Sequence, residues 1–274
     1  MPELPEVETT VCGIRPFLEG EVIQSLTVRN RYLRWPIPEG LEMIVSGCRV
    51  TRVTRRAKYI VIAFENDGGL LIHLGMSGSV RVLEDGHDRT VGKHDHFDLT
   101  LTNGTRIRYH DPRRFGCLLY AKSNLLGHSR LSALGVEPLT PSFCADYLYG
   151  IAKQRRSPIK SLIMNGQIVV GVGNIYACES LFLAGIHPLR RSDRISLRRI
   201  GGLVTSIKEV LIQAIEKGGT TLQDFVGADG SPGYFEQRLS VYGREGQSCP
   251  RCQSPIHRIV SGQRSTYYCG LCQR

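Results

Sequence analysis

The sequence predicts an α+β fold: an antiparallel β-sandwich or barrel with a helix packed against it, then a helical region, then a metal-stapled hairpin. Three observations predict it. The hydrophobic period turns from helical to alternating after Gly20 and back to helical from about Phe143. A Gly/Pro-bearing stretch, LGVEPLTPS at 134–142, separates the two regimes and reads as an interdomain linker. Four of the nine cysteines stand in two CxxC pairs at the C-terminal end.

The elements follow in order. Residues 3–19 read as a helix, with Val7, Val11, Ile14 and Leu18 at helical spacing and Gly20 as the stop. Six short alternating or β-rich runs come next: 22–28, 58–64, 70–74, 97–101, 105–109 and 117–121. Asn66-Asp67-Gly68-Gly69 and Asn103-Gly104 are hairpin turns between them. Helices are expected at 143–152, 174–185 and 195–217. In the last, Ile200, Leu203, Val204, Ile207, Leu211 and Ile215 share one face, and Gly218-Gly219 ends it. The Gly-rich polar stretch 220–236 reads as a loop, the kind of segment that often handles ligands.

The C-terminal motif is Cys249-Pro-Arg-Cys252, a spacer, and Cys269-Gly-Leu-Cys272. Four thiolates at this spacing close a tetrahedron around Zn²⁺, and with no open position left the metal is structural. The spacer has two β-rich arms around Ser261-Gly262, which makes a zinc ribbon with Arg264 at its tip. That arginine suits a groove or a phosphate. Cys12, Cys48, Cys117, Cys144 and Cys178 are scattered, mostly in apolar-patterned segments, as expected of a reducing compartment rather than a disulfide framework.

The formal net charge is +10, and the excess is clustered. Arg29, Arg31 and Arg34 form one group; Arg52, Arg55, Arg56 and Lys58 form another. Lys153, Arg155, Arg156 and Lys160 follow, then Arg190, Arg191, Arg194, Arg198 and Arg199. Such patches suit a phosphate backbone, though an anionic membrane surface fits charge alone as well. No apolar run approaches a membrane span. MPELPEVE has neither a basic n-region nor an apolar h-region, so a cytoplasmic address is expected. No heptad appears, and a monomer is expected.

Pro2 follows Met1, and a small second residue permits removal of the initiator Met. The mature chain would then begin with a secondary amine of pKa ~7.7–8, partly unprotonated at neutral pH. Attack of such an amine on an aldehyde-level carbon gives an iminium. Glu3 and Glu6 lie three apart on the following helix, where a carboxyl can serve as acid and base. Pro and Glu are equally at home in any first helical turn, so these residues alone leave catalysis open.

PELPEVET at 2–9 is joined by RRAKY (55–59), HLGMSGS (73–79), KHDH (93–96), DPRRFG (111–116), VVGVGNIYACESLF (169–182), GGTTLQDF (218–225), VYGREG (241–246) and the ribbon. In this order the chain resembles the formamidopyrimidine-DNA glycosylase family along its whole length. The resemblance implies a two-lobed α+β fold, with an N-terminal antiparallel β-sandwich and its helix at 1–133 and a linker at 134–142. It implies a helix-two-turn-helix region with a lesion-capping loop at 143–239 and the zinc ribbon at 240–274, with DNA between the lobes. The activity implied is base-excision repair of oxidised purines, 8-oxoguanine and formamidopyrimidines, in duplex DNA. The damaged base is flipped out. Pro2 attacks C1′, Glu3 is the acid/base, and successive β- and δ-eliminations leave a one-nucleotide gap.

Residue by residue, Lys58 matches the lysine that supports base loss and β-elimination, aimed by its strand into a cleft. Asn174 matches the residue holding phosphates beside the lesion, with Gly171 and Gly173 permitting close backbone approach. Lys160 and Tyr176 are expected to add phosphate or lesion-proximal contacts. Met76, Arg113 and Phe115 match the residues that fill the hole left by the flipped base. His94 and Arg156 match further DNA contacts, and Arg264 the arginine of the later elimination. The loop around Thr220–Asp229 matches the lesion cap. Met164-Asn165-Gly166-Gln167 departs from the family's usual Met-Asp-Asn or Met-Asp-Gln, Leu222-Gln223-Asp224 is a variable stretch, and Gly78 offers no side chain to read a base. Two alternatives stand: the endonuclease VIII-like activity on oxidised pyrimidines, whose members usually begin Pro-Glu-Gly-Pro-Glu, and a non-catalytic zinc-ribbon DNA-binding protein.

Overall fold

The computed structural model describes residues 2–83, 90–218 and 239–274. The expected lesion cap at Thr220–Asp229 lies outside the described residues, as does Met1. The chain forms two compact units, divided between Ser132 and Ala133.

The first unit opens with helix α1 (Leu4–Leu18). Its apolar stripe is the expected one: Val7, Val11, Ile14 and Leu18 are fully buried. Glu3 is the N-cap, Pro5 occupies the first turn where its missing N–H costs nothing, and Gly20 leaves the helix at φ +86°. Strands β1 (Ile23–Val28), β2 (Val50–Arg56), β3 (Tyr59–Phe64), β4 (Gly69–His73), β5 (Ser79–Leu83), β6 (Asp95–Leu101), β7 (Arg106–His110) and β8 (Cys117–Ala121) make two four-stranded antiparallel sheets. Their orders are β1-β6-β7-β5 and β2-β3-β4-β8. One core joins them: Ile60, Ile62, Leu70, Ile72 and Leu118 from one sheet, Phe97, Leu99, Ile107 and Tyr109 from the other, with the α1 stripe. Two short helices, α2 (Leu41–Val45) and α3 (Ser129–Ser132), lie in the connections.

The second unit contains α4 (Ala145–Lys153), α5 (Ile159–Ile163), α6 (Asn174–Leu183), α7 (Leu197–Glu216) and the hairpin β9 (Ile256–Ser261) and β10 (Arg264–Cys269). From Ile175 to Phe182, α6 is buried all round, as befits the central helix of its unit. The predicted face of α7 is buried at Ile200, Leu203, Val204, Ile207 and Leu211, while Ile215 is only half-buried. The 134–142 segment is not a free connector. Gly135 donates to the Gly166 carbonyl (2.8 Å), Val136 bridges to Val169, and the Lys208 amine reaches the Thr140 carbonyl (3.1 Å). It is docked on the second unit because its backbone finds partners there. None of the described helices is long and apolar enough to cross a membrane.

Candidate nucleic-acid interface

At the N-terminus, Pro2 and Glu3 are buried at the head of α1. A capping box holds them: the Glu6 carboxylate accepts the Glu3 N–H at 2.7 Å, and the Glu3 side chain accepts from the Glu6 backbone. The box is reciprocal, so each carboxylate holds the other residue's backbone N–H. Glu6 locks the backbone just beyond Pro2, and Glu3 is the carboxylate adjoining it. Lys58 is not in a strand, contrary to the sequence reading. Ala57 and Lys58 form the two-residue turn between β2 and β3, with Ala57 at φ +54°. Ala-Lys lacks the Asn-Gly signature of such turns, and the alternation of KYIVIAF hides the boundary.

Beyond this hairpin, the loops after β4 and β7 meet. They build a cleft of 750 Å³ lined by Tyr32, Arg34, His73, Met76, Arg113 and Phe115 among others. Met76 and Phe115 are 38 % and 44 % exposed, unusual for residues that would otherwise default to a core. The Arg113 guanidinium stacks on the Phe115 ring at 4.9 Å. The three expected void-filling residues thus share one edge.

Two residues missed by the sequence reading shape this edge. Asp111 is fully buried, and its carboxylate collects Ser77 Oγ (2.8 Å), the Gly116 N–H (2.9 Å), the Arg113 N–H (3.2 Å) and the Tyr109 hydroxyl (3.2 Å). It staples both loops together; it opens the DPRRFG motif, and its place before Pro112 is the one physical signal of a turn role. His73 Nδ1 accepts the Gly75 N–H at 2.9 Å. Burial, with the nearby charges of Lys58 and Arg34, pushes its pKa down to about 4, so the imidazole stays a neutral acceptor. Glycine at 78 and 116 is dictated by crowding: a Cβ would stand 2.3 Å from the Leu74 carbonyl and 1.8 Å from the Tyr109 hydroxyl, respectively. His94, half-buried, lies beside this region; its carbonyl accepts the Asp111 N–H (3.0 Å) and its ring meets His110 edge-on at 5.9 Å.

In the second unit, Asn174 is the first residue of α6, preceded by Gly173 and by Gly171 at φ +79°. Its side chain bridges to the ribbon. The Lys160 amine donates to Asn174 Oδ1 (2.5 Å) and to Thr266 Oγ1 (2.7 Å), and Asn174 Nδ2 donates to the Ser265 carbonyl (2.9 Å). Lys160 and exposed Arg264 line a shallow depression of 230 Å³ with Ser261 and Gly262. Arg156 is exposed between α4 and α5. Two expected contacts sit deeper than the sequence implied: Lys160 is 2 % exposed and Tyr176 is fully buried in α6. As placed, Lys160 supports the surface through Asn174 and Thr266. Asn165 answers the departure noted at the Met-Asn-Gly turn, since its Oδ1 accepts the Gln167 N–H (2.9 Å) as an aspartate would.

The four cysteines of the ribbon offer sulfurs all within 4.8 Å of one another, with Cys249–Cys272 at 3.9 Å and Cys252–Cys269 at 3.4 Å. A Zn–S bond of ~2.3 Å implies tetrahedral edges of ~3.8 Å, so the donor set fits zinc. The ribbon is moored to α6. The Glu179 carboxylate accepts the N–H groups of Ser240, Val241 and Tyr242 at 2.8–3.0 Å, and Arg251 donates to the carbonyls of Phe182 and Leu183.

Family profiles cover most of the chain. They are described as the formamidopyrimidine-DNA glycosylase N-terminal domain (residues 1–118), the formamidopyrimidine-DNA glycosylase H2TH domain (134–226) and a zinc finger found in FPG and IleRS (240–274). A formamidopyrimidine-DNA glycosylase of Xanthomonas oryzae pv. oryzae (strain PXO99A) is 52 % identical over 274 residues, covering 100 % of both chains. One from Hydrogenovibrio crunogenus is 53 % identical, covering 100 % of this chain and 97 % of its own. Among solved structures, the MutM (Fpg) protein of Thermus thermophilus superposes with TM-score 0.87 at 36 % identity, covering 99 % of this chain and 98 % of its own. Lactococcus lactis Fpg in complex with abasic-site DNA superposes with TM-score 0.89 at 30 % identity, covering 99 % of each chain.

Proposed function

The chain belongs to the formamidopyrimidine-DNA glycosylase family, and from that premise we propose how its own residues carry the activity. It is a DNA glycosylase and abasic-site lyase of base-excision repair; it acts on oxidised purines in duplex DNA and holds one structural Zn²⁺ in its four-cysteine ribbon. As a DNA-acting protein it is assigned to the cytoplasm.

Once Met1 is removed, the Pro2 amine is the nucleophile. It attacks C1′ of the flipped nucleotide, the C1′–base bond breaks, and an iminium joins Pro2 to the sugar. Glu3, the carboxylate beside it, shuttles the proton that opens the ring. Lys58, at a rigid hairpin turn, supports base departure and the first elimination. Arg264, at the exposed ribbon tip, serves the second. Asn174 and Arg156 hold phosphates, as does His94. Met76, Arg113 and Phe115 occupy the vacated stack and face the orphaned base. Lys160 sets the geometry of the Asn174 turn, and Tyr176 stands two residues further along the same helix.

The observation that carries this reading is the capping box: it fixes Pro2 and Glu3 side by side at a buried helix start. Borohydride should trap a covalent complex with duplex DNA containing 8-oxoguanine opposite cytosine, and faster than with thymine glycol. Cleavage and trapping that persist in a Pro2→Gly protein with a blocked N-terminus would sink the nucleophile assignment. Faster cutting of the thymine-glycol duplex would sink the preference for purines.

A further inference from the structure

The three arginines that the sequence groups at 29–34 meet different fates. Arg29 is paired with Asp98, and Arg31 with Glu42. The Arg34 guanidinium has no carboxylate partner among the described residues. It lies instead over the ring of Trp35, the only tryptophan of the chain, its central carbon 4.7 Å from the ring centroid. A second guanidinium arrives on the same indole from a distant segment: Arg130, on α3, stands 3.9 Å from that centroid. Arg130 also lacks an acidic partner among the described residues. Both arginines are exposed and Trp35 is half-buried.

Two like charges gathered on one ring repel each other. Long exposed side chains would normally swing apart, and the indole ring is what both lie against. Both charges also act on the Tyr59 hydroxyl and the Cys117 thiol, partly offsetting the rise that burial gives each. The stack is also tied to the wedge. Arg34 lines the cleft of Met76, Arg113 and Phe115, and its backbone N–H donates to the Gly116 carbonyl at 3.1 Å. A guanidinium fork held in place matches a phosphate with little ordering left to do, and an unneutralised pair of them is an anion site in waiting.

We propose that Arg34, Trp35 and Arg130 form a second phosphate-gripping element, which binds the duplex backbone beside the wedge. This rests on the reading of the cleft as the DNA wedge. It goes further by assigning backbone contacts to a stacked pair built on Trp35.

The test uses the full-length zinc-loaded protein and a duplex carrying a stable abasic analogue, so that no chemistry intervenes. Binding is followed across a salt series, and Trp35 emission reports events at the stack directly. The slope of log K against log salt should shrink by about 0.9 for Arg34→Ala and again for Arg130→Ala. Trp35 emission should change on titration of the unsubstituted protein and change less in either variant. Slopes equal to that of the unsubstituted protein, with only a lowered melting temperature, would overturn the proposal and make the stack a fastening between two segments. Absence of any salt-dependent binding by the unsubstituted protein would remove the wedge reading and this proposal together; the two failures are therefore distinct.

Discussion

His73 shows how much a single ring decides at this site. Its Nδ1 must accept the Gly75 N–H to shape the turn that presents Met76. Burial and the charges of Lys58 and Arg34 keep it unprotonated down to about pH 4. In the unfolded chain the same histidine titrates near ~6.5. Between these values the unfolded state binds a proton that the folded state refuses, so stability falls as pH falls through that window and the loss is complete below about 4. His73→Gln keeps an acceptor but cannot titrate. The unsubstituted protein should therefore lose about 2 kcal/mol more than the variant on going from pH 7 to pH 4.5, measured by urea unfolding. Parallel losses in the two proteins would show that this imidazole is not held neutral. HLGMSGS was legible as a motif, but the histidine's part in it was not, because its partner is a backbone N–H two residues away and its charge state is set by its burial in the folded chain, with Lys58 and Arg34 from other elements adding to it.

At the scale of elements, strong periodicity was legible and weak periodicity was not. The α1 stripe, the α7 face and six strands follow from spacing within a residue or two. β2 and β5 escaped. VTRVTRR buries only two of its seven side chains fully, so its pattern reads as a polar edge. SVRVL is too short to outvote the glycines before it. The helices α2 and α5 are five residues each, below what a 3.6-residue period can reveal. The capping box of α1 was half legible: Glu3 and Glu6 stood at the right spacing, but in sequence they read as carboxyls near an amine, Glu3 as the acid/base, and not as each other's backbone caps. In the structure both close a reciprocal box, and the part Glu6 plays in it is testable. Glu6→Ala removes the acceptor of the Glu3 N–H and should cost about 1–2 kcal/mol of stability, whereas Glu6→Gln, which keeps an acceptor, should cost less. Because Pro2 precedes that N–H, borohydride trapping should slow in Glu6→Ala more than duplex affinity falls. Trapping at the normal rate in a destabilised Glu6→Ala protein would confine the capping box to a purely structural role.

Over the whole molecule, net charge proved a poorer guide than the pairing of that charge. Of the basic groups counted in the sequence, Arg29, Arg31, Arg55, Arg191 and Arg258 are committed to carboxylates, and Arg108 is buried against Asp98 and Asp95. Burial alone would raise the Asp98 carboxyl, yet Arg108 and Arg29 hold it below its ordinary value. The excess available to a polyanion is therefore local, and part of it depends on the metal ribbon. Zinc coordination supplies an apparent ~10–16 kcal/mol in isolated fingers, comparable to the whole stability of a domain, so the hairpin should not survive its loss. The consequence runs through two contacts. When β10 melts, Thr266 and Ser265 leave Lys160 and Asn174, and the support of the α6 turn goes with them. The β-sandwich keeps its own core and needs none of this. Chelation of the metal, checked by elemental analysis, should open residues 240–274 to protease while the N-terminal unit stays resistant, and duplex binding should fall by at least tenfold. Readdition of Zn²⁺ under reducing conditions should restore both. Undiminished binding by the metal-free protein would show that Asn174 keeps its place without the ribbon, and would detach Arg264 from the DNA-binding surface.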